Sequence, residues 1–492
     1  MLAKNPMIYS DFPDPEVIRV EDTYYLVTTT MHFFPGGQIL MSKDLVNWQH
    51  LCYAYEIFGE TMQQQLRNGH IYGQGMWAPT LRYHGGIFHL VFSCNDTKSC
   101  YHFTAADMRG PWKMGKIEGF YHDPSLLFDD DGRVYIVYGN RDIRITELKQ
   151  DLSAPLPDGL NRILIHDEEE GLGWEGSHIH KIGGRYYLCN IHWPKGKMRS
   201  QGVHSCDSLT GEFIGGEVLM DDLDGSFRGV AQGGMVDTPE GKWYMPLFQD
   251  HGAQGRMPVL VPFTWENHMP KMEKAPRVLD IPVDETVPRL YTSDSLLSGI
   301  SFLWQWNHEP DKTCIAYTEK GLQLICDGPA RDVEFARNTL TQRCFNEACS
   351  GQVTVDVSAL REGDHAGICA LQGCFAQLCV TVRGGQKFLS LVSREAGEGT
   401  LCRSTEPPQE RQAIPFAGNS ITLRAVFDFT CGQVQFFFDD GGGMKPFGNA
   451  HRLVYRLDHF TGCRMGLCAF NEKGRGGHAV FRDFVYQVHG ET

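Results

Sequence analysis

The sequence predicts an all-β protein in which a five-bladed β-propeller is followed by a β-sandwich. Three features of the 492-residue chain predict this fold class. One sequence template recurs five times. Short runs of alternating apolar and polar residues, bounded by Gly, Asp and Pro, occur in place of the long apolar stripe of a helix. The pattern changes after a Pro-rich stretch at residues 270–288. We therefore assign residues 1–285 to the propeller and residues 286–492 to a second domain.

The template starts with a small or acidic residue and a turn-like dipeptide, then has a short apolar run, a tight turn and an aromatic strand. The strand starts 10 or 11 residues after the first position in every copy, and successive strands start 64, 46, 52 and 57 residues apart. A sandwich also has many short strands, but the constant offset and this period favour propeller blades. The copies span residues 14–25, 78–89, 123–135, 175–187 and 232–244.

The leading position of the template is a carboxylic acid in three copies: Asp14, Asp123 and Glu175. The other two copies have Ala78 and Gln232 there. Equivalent positions of a radial repeat face one axis, so we expect the three acids to meet in one pocket. A single acid beside a strand is most often a solvated or capping residue. Three acids at the same repeat position are poorly explained by chance.

Three acids in one pocket suit the hydrolysis of a glycosidic bond. One carboxylic acid protonates the departing oxygen while a carboxylate on the other side activates water or attacks directly. Asp14 precedes Pro15, which favours an extended backbone and suits a fixed, charged base. Glu175 follows the apolar Trp174 and has no basic neighbour, which suits a proton donor. Asp123 would orient Glu175 and favour its protonated form by like-charge repulsion.

Charge and composition narrow the class of partner. A net charge of -15 argues against nucleic acid, because nucleic-acid binders usually present a basic face, whereas a neutral sugar fits. We find no signal peptide and no stretch near the roughly 18 apolar residues of a spanning helix, and so expect a cytoplasmic protein without a membrane partner. The 16 cysteines are then expected to be reduced and mostly buried.

The strands after about residue 290 alternate again but lack the propeller template. Roughly 200 residues of this kind predict a second all-β domain, most simply a two-sheet sandwich. Eleven of the sixteen cysteines lie in this part, which indicates that the two halves have separate histories.

Three segments resemble the catalytic motifs of glycoside hydrolase family 43, namely residues 11–19, 121–132 and 174–181. The C-terminal part, through residues 335–343 and 363–368, resembles the concanavalin-like jelly-roll sandwich of the β-xylosidase branch. The resemblance covers nearly the whole chain. It implies an exo-acting enzyme that releases β-D-xylose from xylo-oligosaccharides, α-L-arabinofuranose from arabinosylated oligosaccharides, or both.

The resemblance also implies a role for each acid. Asp14 would be the general base, Glu175 the general acid, and Asp123 the residue that positions and tunes the acid. The family inverts the anomeric configuration, which implies that Asp14 and Glu175 lie roughly 6.5 to 9.5 Å apart, with room for a water between them.

Four further residues match substrate contacts of the family. Trp77 would stack on the sugar, although a place in the core explains it equally well. Arg256 would reach sugar hydroxyls, since its planar donors suit two oxygens at once. Phe33 and Phe34 would form an aromatic lip of the pocket. The residue before the tuning acid is often apolar in related β-xylosidases, whereas this chain has His122.

His251 matches a histidine that binds a calcium ion on the propeller axis in this family. Calcium prefers oxygen ligands, so the residue alone would indicate a structural or substrate-side histidine. The resemblance favours calcium, which would hold the acids in place and adjust their charge. We expect no organic cofactor.

Two rival functions remain open at this point. A carbohydrate-binding propeller would keep its affinity for sugar after Asp14 or Glu175 is replaced, whereas a hydrolase would lose turnover. A structural or interaction protein would show no stabilisation by sugar at all. The sequence also leaves open the choice between xylose and arabinose, the formation of a homo-oligomer, and which loop of the sandwich closes the pocket.

Overall fold

The computed structural model describes residues 1–223, 225–396 and 407–490. Within these ranges the chain forms 37 β-strands, no α-helix, and three 3₁₀ helices at Gly252–Gln254, Lys312–Cys314 and Val333–Phe335. None of the described helices has the length and apolarity needed to span a membrane. The prediction of an all-β chain is confirmed.

Five four-stranded antiparallel sheets follow one another along the chain and form the blades of a propeller. Strand β1 (Leu2–Lys4) precedes them. Blade 1 contains β2 (Glu16–Val20), β3 (Thr23–Val27), β5 (Gly36–Ser42) and β6 (Gln49–Tyr55), and β4 (Phe33–Phe34) lies outside this sheet. Blade 2 contains β7 (Thr80–His84), β8 (Ile87–Cys94), β9 (Ser99–Ala105) and β10 (Lys113–Ile117).

The other three blades repeat this arrangement. Blade 3 contains β11 (Ser125–Phe128), β12 (Val134–Tyr138), β13 (Asp142–Leu148) and β14 (Asn161–His166). Blade 4 contains β15 (Gly171–Ile182), β16 (Arg185–Pro194), β17 (Ser200–Cys206) and β18 (Ile214–Leu219). Blade 5 contains β19 (Val236–Asp237), β20 (Trp243–Asp250), β21 (Arg256–Glu266) and β22 (Met269–Lys271).

The first strand of each blade is the innermost one, because these strands contact each other around the axis. β2 contacts β7, β7 contacts β11, β11 contacts β15, and β19 of the last blade contacts β2 of the first. An ion pair between Arg19 and Asp237, 2.6 Å long, joins the last blade to the first. β1 also pairs with β23 (Val278–Pro282), which follows blade 5. The two ends of the propeller are therefore held together, and each repeat starts at the axis.

The C-terminal part is a sandwich of two antiparallel sheets over a shared apolar core. Its strands are β24 (Gln305–Asn307), β25 (Ile315–Thr318), β26 (Gly321–Ile325), β27 (Leu340–Arg343), β28 (Ala348–Asp356), β29 (Asp364–Leu371), β30 (Ala376–Arg383), β31 (Gln386–Ser393), β32 (Gln409–Pro415), β33 (Ser420–Asp428), β34 (Gln433–Asp439), β35 (Lys445–Arg452), β36 (Arg464–Asn471) and β37 (His478–His489). The first sheet has the order β32-β31-β30-β29-β36-β27-β24-β4 and the second β25-β26-β37-β28-β33-β34-β35. The domain boundary expected between residues 285 and 286 stays a prediction.

One strand of the first sandwich sheet comes from the propeller. β4 pairs with β24, so that Phe34 lies opposite Trp306 and Phe33 opposite Asn307. Further hydrogen bonds cross the same interface, including one of 2.7 Å from Nε of Arg343 to the main-chain oxygen of Asp11. These contacts fix the position of the sandwich over the propeller.

Candidate active site

A cavity of about 550 Å³ lies at the propeller axis, where the five repeats begin. The leading residues of all five repeats line it: Asp14, Ala78, Asp123, Glu175 and Gln232. We call these five positions the floor of the pocket. The structure thus brings the three acids together in one cavity, because the ring of innermost strands places equivalent residues around one axis.

Asp14 lies two residues before β2, and both oxygens of its buried carboxylate are hydrogen-bonded. Oδ2 accepts from Oγ1 of Thr29 at 2.7 Å, and Oδ1 accepts from Nη1 of Arg256 at 2.7 Å. The backbone φ of Asp14 is 51°, in the left-handed region, so the prediction of an extended backbone is wrong. The two side-chain bonds hold this strained residue in place, as is common at functional sites.

A histidine joins the other two acids. Nε2 of His122 lies 3.3 Å from Oε2 of Glu175 and 3.5 Å from Oδ2 of Asp123. The carboxylate of Asp123, assisted by Glu175, raises the pKa of His122 to about 9. At neutral pH the imidazolium therefore lies between the two carboxyl groups. The sequence showed His122 as a departure from the usual apolar residue but gave no sign of this contact.

The pKa of Asp123 is raised to about 6, chiefly because the carboxyl group is buried. The nearby carboxyl groups of Glu175 and Asp14 raise this pKa further, whereas His122 and Arg256 lower it. Repulsion between Asp123 and Glu175 is thus one contribution to the pKa of Asp123, whereas the expected effect of Asp123 on Glu175 stays a prediction. This repulsion acts together with a cation that the sequence analysis did not place there.

Glu175 sits inside β15 rather than before it, next to an irregularity in the pairing with β16. Such bulges are common beside active sites because they redirect a side chain. Gly176 follows with a φ of 62°, and a Cβ there would lie 2.6 Å from the side chain of Gln232. Trp174, expected to give Glu175 an apolar setting, points away and stacks on His192 at 3.9 Å.

Asn140 is a polar contact of Glu175 that sequence reasoning missed. Its Nδ2 donates a hydrogen bond of 2.7 Å to Oε2 of Glu175, the oxygen that His122 also approaches. Asn140 lies between β12 and β13 of the third blade, outside the repeated template. A template search could not have found it, because its role depends on the neighbouring blade.

Arg256 lies between two aromatic rings and beside two carboxylates. Its guanidinium carbon is 4.8 Å from the ring centre of Phe248 and 4.7 Å from that of Phe460. Besides its bond to Asp14, its Nε lies 3.5 Å from Oδ1 of Asp250. The carboxylate of Asp14 favours the charged form and keeps the pKa of Arg256 above its usual value in spite of burial. Arg256 lines the pocket as a fixed cation.

Trp77 also lines the pocket and is only partly buried. Its ring lies 5.7 Å from His122, edge to face, and 5.8 Å from Phe460. Its Nε1 donates a hydrogen bond of 3.3 Å to the main-chain oxygen of Gly73. The side chain is therefore a wall of the cavity and not a member of the core.

The cavity is closed from the sandwich side by the segment between β35 and β36. Tyr455, Leu457 and Phe460 of this segment line the pocket, and we call these three residues the roof. Phe460 contacts both Trp77 and Arg256. This is the loop of the second domain that the sequence analysis left unidentified.

Phe33 and Phe34 do not form a lip of the pocket, and that prediction is wrong. They are 1% and 0% exposed, respectively, and lie in β4. Phe33 packs in the core of the sandwich, and Phe34 in the core of the first two blades. Both are used to join the two domains, because the strand that carries them pairs with β24.

His251 lies beside the pocket and lines a neighbouring cavity. Calcium takes about six to eight oxygen ligands, whereas His251 offers a ring nitrogen. Among the described residues, the groups of three close His, Cys, Asp or Glu side chains are His122 with Asp123 and Glu175, and Asp311 with Cys314 and Asp327. Neither includes His251. The side chains therefore fit calcium poorly there, and calcium stays a prediction.

Comparison with known proteins agrees with this geometry. Residues 3–270 match the model of glycosyl hydrolases family 43, and residues 298–487 match the β-xylosidase C-terminal concanavalin A-like domain. The chain belongs to glycosyl hydrolase family 43. It is therefore a glycoside hydrolase, and the predicted membership of family 43 with a concanavalin-like C-terminal domain is confirmed.

This family 43 protein has relatives with more than one named activity. It is 27% identical to a β-xylosidase of Formosa agariphila, over 99% of this chain and 90% of the relative. It is 26% identical to a non-reducing end α-L-arabinofuranosidase of Bacteroides ovatus, over 78% of this chain and 77% of the relative. A bifunctional GH43-CE protein of Bacteroides eggerthii has a similar structure, with a TM-score of 0.92 and 36% identity over 99% of this chain. The chain spans 64% of that longer protein.

Proposed function

We propose that this protein is an inverting exo-glycosidase that removes single pentoses from short oligosaccharides. The observation that carries the proposal is the meeting of three acids in one cavity, with Asp14 paired to Arg256 and Glu175 in a separate cluster with His122 and Asp123. Inversion needs an ionised carboxylate and a protonated carboxyl group at different places around one sugar.

Asp14 is the general base of the proposed reaction. Arg256 and Thr29 each donate a hydrogen bond to one of its oxygens and hold both oxygens in place. As Asp14 takes a proton from water, the water oxygen bonds to the anomeric carbon. The bond from that carbon to the glycosidic oxygen breaks on the opposite face, and this oxygen takes the proton of Glu175.

The proton that Glu175 delivers is held by the cluster of His122, Asp123 and Glu175. His122 keeps a proton in this cluster at neutral pH because its pKa is about 9, and its Nε2 lies 3.3 Å from Oε2 of Glu175. Asn140 fixes the oxygen of Glu175 at the distance expected of a strong hydrogen bond. His122 and Asp123 are positioning residues in this scheme, since they act through Glu175.

Exo action fits a pocket that is covered on one side. The roof residues cover one side and Trp77 forms a wall, which leaves space for a terminal sugar rather than a groove for a long chain. Trp77 and Phe460 offer apolar faces to a sugar ring, and Arg256 offers donors to its hydroxyl groups. We propose β-D-xylose as the first substrate sugar and α-L-arabinofuranose as the second, because relatives with both names are similar to this chain.

The test is hydrolysis of p-nitrophenyl β-D-xylopyranoside and p-nitrophenyl α-L-arabinofuranoside by the wild type and by Glu175→Ala. Turnover that is lost in the variant supports a hydrolase, and the ratio of the two rates ranks the sugars. Proton NMR of the first product formed shows whether the configuration is inverted. A folded wild type that turns over neither glycoside contradicts the proposal.

One further expectation can be tested in the same assay. Loss of turnover with a chelator and recovery with calcium would support the ion predicted near His251. We also propose a cytoplasmic location with reduced thiols. In support, the 15 cysteines within the described ranges are free, and most are buried.

A further inference from the structure

A second cavity, of about 540 Å³, opens beside the acid pocket. The two cavities share four wall residues: Trp193, Arg199, Asp250 and Tyr455. The two cavities therefore adjoin, and a ligand that extends out of the acid pocket past these four residues enters the second cavity. We call this space the arginine cavity.

Three arginines line the arginine cavity, and two of them have no acidic partner among the described residues. Arg199 pairs with Asp250 and lies over the ring of Trp193 at 4.3 Å. Arg228 and Arg452 are exposed, and neither has a carboxylate of the described chain within 4.0 Å. Arg228 makes one long hydrogen bond of 3.5 Å, to the main-chain oxygen of Asp250.

The carboxylate of Asp250 does not neutralise these two arginines. One of its oxygens pairs with Arg199, and the other lies 3.5 Å from Nε of Arg256. The protein as a whole has a net charge of -15. Two arginines that have no ion-pair partner among the described residues therefore line this cavity, and such side chains attract an anion.

The cavity also has surfaces that suit a sugar ring. Trp193 and Phe227 are 40% and 61% exposed and line the same space. Aromatic faces bind the apolar side of a sugar, and a planar guanidinium binds a carboxylate through two parallel hydrogen bonds. A ligand that uses both features is a sugar with a carboxylate group.

We propose that the arginine cavity binds a uronic acid carried on the leaving portion of the oligosaccharide, with its carboxylate at Arg228 and Arg452. The inference rests on the proposed function, because it takes the acid pocket as the site of the terminal pentose. It adds a substrate class: acidic pentose oligosaccharides are hydrolysed in preference to their neutral counterparts.

The test compares two branched trisaccharides that differ only in charge. One is xylotriose with glucuronic acid on its middle sugar, and the other is the same compound with the carboxyl group reduced to the alcohol. We expect the wild type to show a kcat/KM ratio of about tenfold in favour of the acidic compound, the size of a charged hydrogen bond. In the double variant Arg228→Gln, Arg452→Gln the ratio falls to about one.

Arg475→Gln is the matched control. Arg475 is exposed and lies outside both cavities, so its loss changes the protein charge but leaves the ratio as in the wild type. Higher salt lowers the ratio in the wild type, since exposed charges are screened. A wild-type ratio of one or less, or a double variant that keeps the ratio, overturns the inference.

Failure of the proposed function gives a different result. In that case the wild type turns over neither p-nitrophenyl pentosides nor either trisaccharide. Titration calorimetry of Glu175→Gln with the two trisaccharides then decides the inference by itself. Tighter binding of the acidic compound supports the inference if the preference disappears when both arginines are also replaced. Equal binding of the two compounds overturns it.

Discussion

The floor and the roof of the pocket have different origins. The five floor residues occupy one position of a repeat, and the ring of innermost strands brings them to the axis. The three roof residues come from one segment of the other domain, and domain packing puts them there. Charge on the floor is thus set by a local sequence pattern, whereas closure depends on contacts between distant parts of the chain.

Replacing a floor acid is expected to have the largest effect. In Asp14→Asn the side chain keeps its size but cannot accept a proton from water, so kcat falls by about 10³-fold or more. The measurement is kcat on the better p-nitrophenyl pentoside.

Gln232→Ala is the matched control for Asp14→Asn, since Gln232 holds the same repeat position without an acid. It is expected to lose about tenfold at most. Equal losses in the two variants would contradict the assignment of Asp14 as the base and would indicate that the floor acts through its shape alone.

A roof residue should affect binding more than chemistry. Phe460→Ala removes a ring that contacts both Arg256 and Trp77, which is expected to lower kcat/KM by about tenfold. Most of the change should appear in KM, because the roof does not donate or accept the reacting protons.

Tyr83→Ala serves as the control for Phe460→Ala, since this aromatic side chain is exposed on the propeller and lies outside the pocket. A drop in kcat as large as that of Asp14→Asn would contradict the division between floor and roof.

The same division explains how much the sequence could predict. The sequence predicted the three acids, Asp14, Asp123 and Glu175, because equivalent positions of a repeat with a constant offset all face the propeller axis. Asn140 and the roof were not found, because their contacts depend on a neighbouring blade and on another domain. Phe33 and Phe34 were misplaced for the same reason: pairing of β4 with β24 buries a strand that the motif alone put at the surface.

Replacing His122 is expected to have the smallest effect on activity, and this effect should appear specifically in the dependence on pH. Its pKa of about 9 lies above the ordinary value of 6.5 because Asp123 and Glu175 favour the imidazolium. The sign follows: the stabilisation linked to protonation of His122 is fully present below about pH 6.5 and is lost as the pH rises through about 9. The wild type should therefore lose both kcat/KM and stability on the alkaline side.

In His122→Gln, the fall of kcat/KM on the alkaline side of the pH profile should disappear, and the fall on the acidic side should move to higher pH. Because His122 lowers the pKa of Asp123, the pKa of this carboxyl group should rise above about 6 once the imidazolium is gone. The measurement is kcat/KM across the pH range for both proteins, with His166→Gln as the control, since His166 is an exposed histidine of the third blade that does not line the pocket. If both sides of the pH profile stay unchanged, His122 does not set the charge of the floor, and the cluster of His122, Asp123 and Glu175 does not hold the proton that the proposed mechanism needs.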